Sequence, residues 1–504
     1  MEALAASLGA NIALGFSVAL SPTNVALCLA GCVLGTLIGV LPGIGPSATV
    51  AMLMPVTFYL SPVGALIMLA GVFYGSQYGG STTAILVNLP GESSSIVTTL
   101  DGHAMAKEGR AGAALAVAAL ASLFAGTVTT LAIAAAGPPI AKFALLFQSP
   151  DYVAVMVLGL VAAVVLAQGS LPKALAMIVL GVFLGLVGTD VTTGMQRYTF
   201  GVNALFDGIG FVPVAMGLFG IAEIMHNLEA TQGKGRVMRP MDRLWPSRED
   251  FRRAAPAAGR GTAMGLGLGI LPGSTTDIPA YAAYSVEKRI SSEPWRFGKG
   301  AVEGVAAPEA ANNASAQAGF IPMLSLGIPP NAIMAMMIGA MMIHGIAPGP
   351  QIIDKQPALF WGLVASMWLG NAVLVVLNLP LIWLWVRLLT IPYRVLFPSI
   401  IVFCCIGCYS LKNNPADVVI MALFGVIGYG LKKLRFEPAP LVIGFILGPM
   451  LEENFRRAML VSGGELSVFV TRPISAVFLA VSAALLFAVL MPAVRRARSG
   501  EVAG

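Results

Sequence analysis

One sequence motif interrupts two apolar stretches of the chain, and both copies carry groups that could bind an anion. The motif Gly-x-x-x-Gly-[Val/Ile]-Leu-Pro-Gly occurs at residues 35–43 and again at 265–273. A Pro-Gly break at membrane depth frees backbone N–H and C=O groups, which lipid tolerates only where they line a cavity or bind something polar. Residues just after a break start a new half-helix, whose free N–H groups and positive dipole end favour anions. The candidate substrate-binding residues at these breaks are Gly43, Gly45, Ser47 and Thr49, and then Gly273, Ser274, Thr275 and Thr276.

A second break follows each motif. One is Asn88-Leu89-Pro90-Gly91, and the other runs from Ser325 through Gly327-Ile328-Pro329-Pro330 to Asn331. Matching Pro42 with Pro272 requires nearly the same sequence offset as matching Pro90 with Gly327, so we expect an internal repeat. One break alone would be explained by a packing kink, whereas paired breaks in two halves predict a transporter site at the repeat interface. Further candidate substrate contacts are Ser81, Thr82, Asn88, Gly91, Ser93, Ser94, Ser325 and Asn331.

Acidic residues in apolar surroundings are the candidates for a coupling ion. Glu309 stands in the sequence Pro-Glu-Ala-Ala-Asn-Asn, and a carboxylate within a membrane is costly unless it is paired or liganded. With the amides of Asn312 and Asn313 it could ligate Na+ or carry a proton; the alternative is a structural carboxylate with satisfied hydrogen bonds. Asp277 is a further coupling-ion candidate, and Glu92 is a weaker one.

The sequence lacks the residue patterns that catalysis or ATP hydrolysis would need. The three histidines have no paired acid or nucleophile in the sequence, and the chain contains no Gly-x-x-x-x-Gly-Lys-[Ser/Thr] with which to hydrolyse ATP. Gln77 is polar and near the first break, but its type and position predict no role. We therefore expect a protein that is not an enzyme, needs no cofactor other than Na+ as a coupling ion, and draws energy from an ion gradient or a partner.

Composition sets the class of protein. The chain has 504 residues, of which 57% are hydrophobic and 11% charged, whereas about a quarter of a soluble globular chain is charged. It is therefore predicted to cross a membrane several times. No dense basic tract with interleaved aromatic residues suggests nucleic acid as a partner.

The distribution of Lys and Arg predicts the topology. Residues 234–260 are the most basic stretch, which places this loop in the cytoplasm. Four apolar stretches precede it, near 111–136, 151–168, 171–189 and 202–222, and a second four lie near 358–386, 395–411, 416–431 and 438–451. Residues 261–287 lie between two basic patches and are too short for two crossings of ~20 residues each, so they should form a re-entrant hairpin from the cytoplasm. The first copy, residues 24–60, has uncharged ends and should enter from the opposite face.

The predicted fold is an all-α polytopic membrane protein with two inverted-topology repeats. Each repeat contains a re-entrant helical hairpin and a broken helix, followed by about four transmembrane helices. Elevator-like movement of a transport region against a scaffold is suggested by the paired hairpins. The predicted parts are an N-terminal membrane-associated segment (1–22), transport parts (23–110 and 261–356), scaffold helices (111–222 and 357–455), a basic cytoplasmic loop (223–260) and a C-terminal helix with a tail (456–504).

Three long segments resemble a known family. They are residues 35–55 (GTLIGVLPGIGPSATVAMLMP), residues 74–114, and residues 265–350, which contain EGVAAPEAANNASAQAGFIPMLSLGIPPNA. They look like the large membrane subunit, TctA, of the tripartite tricarboxylate transporters, and the resemblance covers nearly the whole chain. One departure is Pro330, where the family pattern has Gly; proline removes a backbone donor there.

The resemblance implies a multi-pass permease of the bacterial inner membrane. Its implied partners are a TctB-like small membrane subunit and a TctC-like periplasmic solute-binding protein, and its implied activity is uptake of carboxylates such as citrate, driven by Na+ or protons. Membrane lipid surrounds such a protein, and whether two copies form a homo-oligomer stays open. A passive organic-anion channel is the alternative function. A membrane enzyme acting on lipids is a weaker alternative, because it would need clustered acids or a nucleophile with a base.

Overall fold

The computed structural model describes residues 2–41, 45–88, 90–144, 146–165, 167, 170–190, 193–229, 244–271, 274–382, 384–385 and 393–498. The chain is 80% helical. Both Pro-Gly turns of the repeated motif, with Gly43 and Gly273, lie outside the described residues, as do Leu89 and residues 230–243 of the predicted basic loop. The helices on either side of each turn are described.

The first half consists of helices joined by short connections. Its helices are α1 (Glu2–Ala19), α2 (Pro22–Val40), α3 (Pro46–Thr57), α4 (Pro62–Val87), α5 (Ser93–Ser95, Ile96–Thr98, Thr99–His103 and Ala104–Lys107 in continuous turns), α6 (Ala111–Ala144), α7 (Ser149–Val165), α8 (Leu171–Gly185) and α9 (Phe211–Ala215, Met216–Ile221 and Ala222–Glu229). Two short strands, β1 (Gly188–Thr189) and β2 (Gln196–Arg197), pair antiparallel between α8 and α9.

The second half is likewise built of helices. Its helices are α10 (Arg248–Gly269), α11 (Asp277–Ile290), α12 (Glu303–Ala318), α13 (Phe320–Leu326), α14 (Ala332–Ile343), α15 (Gln351–Lys355), α16 (Pro357–Asn378), α17 (Tyr393–Lys412), α18 (Pro415–Lys433), α19 (Pro438–Val461), α20 (Val468–Thr471) and α21 (Pro473–Arg498). Within the described ranges, Pro22–Val40, Ala111–Ile140, Pro357–Asn378 and Pro415–Lys433 are long and apolar enough to cross a membrane. Several shorter apolar helices accompany them.

The glycines of the repeated motif let two helix pairs approach closely. A Cβ built at Gly35 of α2 would lie 2.3 Å from the carbonyl oxygen of Val72 in α4, and a Cβ at Gly265 of α10 would lie 2.3 Å from that of Ala311 in α12. Only glycine fits where backbones touch in this way. The neighbouring glycines repeat the contact one turn before and after, at Gly31, Gly39, Gly261 and Gly269. The packing of α2 on α4 in the first half therefore recurs as the packing of α10 on α12 in the second.

The helix breaks correspond as well, although with a different alignment from the one expected. Helix α4 ends on Asn88 (φ 57°), and α13 ends on Gly327 (φ 73°), each in the left-handed conformation typical of a helix C-terminus. Gly327 therefore corresponds to Asn88, and the expected match of Pro90 with Gly327 is wrong by two positions. In this alignment Glu92 corresponds to Asn331, and each is the N-cap of the helix that follows.

The later helices of the two halves pack on one another crosswise. A Cβ built at Gly181 in α8 would contact the carbonyl oxygen of Leu441 in α19, and one built at Gly217 in α9 would contact that of Met421 in α18. The third long helix of each half thus packs on the fourth of the other half. Helix α1 packs on α16, and α21 packs on α7.

Three details differ from the sequence prediction. The apolar stretch 202–222 is not one helix, because Gly201 and Gly208 have positive φ and α9 begins only at Phe211. The predicted basic loop 223–260 is helical at both ends, since Ser247 and Asp250 form a capping box that starts α10 at Arg248. The strands β1 and β2 are an exception to the all-α prediction.

Candidate functional site

All four breaks contribute to one cavity of about 510 Å³. From the first half come Gly45 and Ser47 after the Pro-Gly turn, and Gly91, Glu92 and Ser93 at the second break. From the second half come Thr275, Thr276 and Asp277 after the Pro-Gly turn, and Asn331 at the other break. The cavity therefore joins segments that lie in different halves of the sequence.

Two long helices begin at this cavity without a side-chain cap. Gly45 is the N-cap of α3 and has no side chain with which to cap it; Thr276 is the N-cap of α11, and its side chain accepts no hydrogen bond from that helix. The first N–H groups of a helix have no partner within it, and the helix dipole is positive at that end. The hydroxyl of Thr275, which also lines the cavity, has no partner in the structure. These groups can donate to an anion.

The starts that follow the other two breaks are capped by their own residues. Asn331 accepts a hydrogen bond from the N–H of Met334 at 3.0 Å, and Glu92 forms a capping box with Ser95. Ser93 donates to Asp277 at 2.8 Å, which ties the first half's break to the second half's helix start. The cavity wall is thus held together across the two halves.

Seven of the 14 described candidate substrate contacts line this cavity, and the other seven do not. The described ones that line it are Gly45, Ser47, Gly91, Ser93, Thr275, Thr276 and Asn331, with the coupling-ion candidate Asp277.

The remaining hydroxyls are turned to other partners. Thr49 donates to the carbonyl of Gly45, Ser274 to that of Thr275, and Ser325 to that of Ile321. Asn88 is exposed at the end of α4 and does not line the cavity. Hydroxyls within helices often satisfy themselves on nearby carbonyls, so residue type near a break did not suffice to place them.

Glu309 does not line this cavity but lies at a much smaller one. It is 1% exposed and accepts hydrogen bonds from Ser81 at 2.5 Å and from Thr98. The small cavity of about 10 Å³ is lined by Glu309, Ser81, Thr82, Ser122 and Asn378 among others, which is room for about one water molecule. The side-chain oxygen of Asn378 has no partner there.

Asn312 and Asn313 do not act as one pair with Glu309. Asn312 donates to the carboxylate of Glu92 at 3.1 Å, toward the large cavity. Asn313 donates to Ser122 at 2.7 Å and to the carbonyl of Glu309 at 3.1 Å. The two amides of one sequence motif therefore serve different surroundings, because neighbouring residues on a helix face different directions.

Several lining residues carried no signal strong enough to be assigned from the sequence. Gln77, Phe73 and Phe219 contribute to the wall of the large cavity. Glu223 and Lys432 also line it and are bonded to each other across α9 and α18. In the sequence Lys432 only follows an apolar stretch, and packing of whole helices brings it to the cavity.

Asp101, away from the cavity lining, is another residue that the sequence did not single out. It belongs to a charged turn in the sequence, yet it is fully buried. It accepts from the N–H groups of Gly298, Gly300 and Ala301 at 2.8–2.9 Å and from the hydroxyl of Tyr284 at 2.9 Å. This carboxylate fastens the first half's α5 to the chain between α11 and α12.

The fold and the cavity define a multi-pass membrane protein in which two halves supply paired helix breaks to one polar site, an arrangement found in membrane transporters. The sequence profile of the tripartite tricarboxylate transporter TctA family matches residues 25–443. The chain belongs to this family, and it is therefore a transporter component rather than a member of an enzyme family.

Two relatives come from Agrobacterium vitis. One, described as an uncharacterized 52.8 kDa protein in the TAR-I ttuC' 3'region, is 56% identical over 488 residues, 97% of each chain. The other, an uncharacterized protein in the TAR-II ttuC' 3'region, is 55% identical over 231 residues, 46% of this chain and 96% of that relative. No solved structure matches the chain.

Proposed function

We propose that this chain is the permease subunit of a binding-protein-dependent secondary active transporter. It imports tricarboxylates or other carboxylates across the bacterial inner membrane, driven by a Na+ or proton gradient. The observation that carries the proposal is the single cavity to which all four breaks contribute. Helices α3 and α11 begin there with uncapped N–H groups, and a substrate carboxylate accepts from such groups.

The substrate contacts proposed first are the residues at the uncapped helix starts. Gly45 and Ser47 act from the first half, and Thr275 and Thr276 act from the second. Asn331 offers its side-chain amide nitrogen, since its oxygen already caps α14. Gly43 and Gly273 remain proposed contacts by their place in the motif.

Charge pairs between helix ends support the proposed topology. Helix ends that the proposed topology places in the cytoplasm contact one another: Lys433 bonds Glu229 at 2.8 Å, and Lys173 donates to the carbonyl of Leu434 at 2.6 Å. Ends assigned to the periplasm also meet, as in the pairs Arg197–Glu452 at 2.7 Å, Arg456–Asp190 at 2.9 Å and Arg472–Asp151 at 2.6 Å. These contacts are those expected if charge at the loops assigns each end to the correct side.

An elevator-like mechanism follows from the proposed inverted repeats. Residues 23–110 and 261–356 form the transport region, and residues 111–222 and 357–455 form the scaffold. The cavity has lining residues from both, because Phe219 and Lys432 lie in the scaffold. The TctB-like and TctC-like subunits are the partners that the family name implies, with the binding protein delivering substrate from the periplasm.

Uptake into proteoliposomes that contain all three subunits tests this function. Labelled citrate should accumulate against its gradient when an inward Na+ or proton gradient is imposed. Thr276→Val keeps the side-chain shape and removes one cavity donor, so KM should rise about tenfold, while Thr193→Val, on the exposed loop before β2, should not change it. Uptake that ignores both gradients refutes ion coupling, and single-channel currents would favour the organic-anion channel instead.

A further inference from the structure

One wall of the large cavity holds a compact polar group from both halves. The carboxylate of Glu92 accepts from Ser94 at 2.5 Å and from Asn312 at 3.1 Å, and Ser94 also lies 3.3 Å from the side-chain oxygen of Gln77. Gln77, Ser94 and Asn312 are each at most 1% exposed. Gln77 belongs to α4, Ser94 to the start of α5, and Asn312 to α12.

This group is not satisfied within itself, and the buried amide nitrogen of Gln77 is one of the atoms that lack a partner. The single hydroxyl hydrogen of Ser94 faces two acceptors, Glu92 and Gln77, and can serve only one at a time. The side-chain oxygen of Asn312 has no partner, although it is buried beside the Glu92 carboxylate. Buried acceptors without donors are costly in protein interiors and are satisfied by a missing group. A cation is the group that several oxygens can share.

The charge of the cavity calls for the same group. Among its described lining residues, three carboxylates (Glu92, Glu223 and Asp277) stand against one ammonium, that of Lys432, which is bonded to Glu223. Glu92 has no ion pair with any side chain in the described part of the protein. A substrate carboxylate entering this space meets like charge in surroundings that screen poorly, so it binds well only if a cation enters too.

We propose that Glu92, Asn312, Gln77 and Ser94 form a Na+ site in the cavity wall, filled together with the substrate. The inference rests on the proposed transport function and locates its coupling ion. Na+ fits better than a proton, because several of these oxygens can ligate one ion together, whereas a proton on Glu92 can be donated to only one acceptor. Rotation of the Asn312 amide would turn that oxygen toward Glu92, where both can ligate one ion. Because the ligands come from α4, α5 and α12, ion binding joins the two halves around the substrate.

Glu309 differs from Glu92 in its hydrogen-bond partners and in the cavity that it lines. Its carboxylate accepts two hydroxyl hydrogen bonds, and it lines the separate small cavity rather than the large one. The sequence motif grouped Glu309 with Asn312 and Asn313, whereas the contacts group Asn312 with Glu92. The two carboxylates therefore make distinguishable candidates for the ion.

Binding of ²²Na+ to the purified full-length chain tests the site without requiring transport. Wild-type protein should show saturable binding that citrate strengthens, because coupling between ion and substrate is reciprocal. Glu92→Gln and Asn312→Leu should each weaken Na+ binding at least about tenfold. The matched control Glu453→Gln, in an exposed ion pair on α19, should bind Na+ as wild type does.

The outcomes separate this inference from the proposed function. Na+ binding that persists at wild-type strength in Glu92→Gln overturns the site, and so does binding that is lost in Glu309→Gln but kept in Glu92→Gln. Neither result contradicts coupled uptake. Absence of saturable Na+ binding to wild type, with and without citrate, overturns the site as well. Failure of the wild-type complex to accumulate citrate is a failure of the proposed function itself. If Glu92→Gln melts at the wild-type temperature in the absence of citrate, its loss of Na+ binding is not caused by unfolding.

Discussion

Substitution of Gly265 by Ala should separate α10 from α12, and its cost can be worked from the structure. The added Cβ would lie 2.3 Å from the carbonyl oxygen of Ala311 and 2.7 Å from the Cβ of Ala314, whereas ordinary contact begins at 3.4 Å. The helices must therefore move apart by about 1 Å, and such overpacking costs about 1–3 kcal/mol.

Gly267→Ala is the matched control on the same helix, because a Cβ there meets nothing within 4 Å. Both substitutions gain helix propensity, about 1 kcal/mol each, so the difference between the two variants isolates the steric cost. We expect Gly265→Ala to be about 1–3 kcal/mol less stable than Gly267→Ala. For a chain of this size that difference lowers the melting temperature by about 1–6 °C. Fluorescence-detected melting of the purified variants in detergent measures this.

The repeat adds a second arm to the experiment. Gly35→Ala meets the carbonyl of Val72 at the same 2.3 Å and should carry a similar cost. A Gly265→Ala protein that melts at or above Gly267→Ala refutes the close packing on which the correspondence of the two halves rests. Equal costs at Gly35 and Gly265 would support that correspondence at the level of energy.

Two further predictions concern buried carboxylates. Asp101→Ala should lower stability by at least about 3 kcal/mol, because it strands three backbone N–H groups that now donate to Asp101; melting beside Asp207→Ala, at an exposed position, checks this, and equal melting of the two variants contradicts it. Arg472→Ala should cost about 3–5 kcal/mol, because it leaves the fully buried Asp151 without its partner and loosens α21 from α7. Proteolysis of that variant should release the C-terminal helix faster than in Arg457→Ala, whose pair is exposed, and adding Asp151→Asn to Arg472→Ala should restore part of the lost stability.

The helices and the breaks were largely predictable from the sequence because they follow from local rules. Apolar length predicts a crossing, and proline or glycine within it predicts an interruption. Even the correspondence of the halves was visible, although its alignment at the second break was wrong by two positions. That error came from setting the Pro-Gly of one break against the Gly of the other, whereas the backbone aligns Asn88 with Gly327, which share the left-handed conformation.

The composition of the site was less predictable. Ser325 and Thr49 have the right chemistry beside a break but donate to carbonyls of their own helices, and no local pattern distinguishes them from Ser47 or Thr276. Gln77 is the opposite case: a lone amide in an apolar helix predicts no partner, whereas the structure places Ser94, from beyond the break, beside it. Side-chain direction, rather than residue type, decides between these cases.

The sequence by itself determined that this chain crosses a membrane and that Pro and Gly interrupt its apolar stretches, and it predicted helix starts there that could bind an anion. These properties depend on hydropathy, on backbone chemistry and on residues close together in the chain. Only the tertiary structure decided that Asn312 belongs with Glu92 instead of Glu309, that Lys432 and Glu223 reach the cavity, and that Asp101 holds the two halves together. Each of these contacts joins residues from distant parts of the chain, and such pairing depends on the packing of whole helices, which no local pattern encodes.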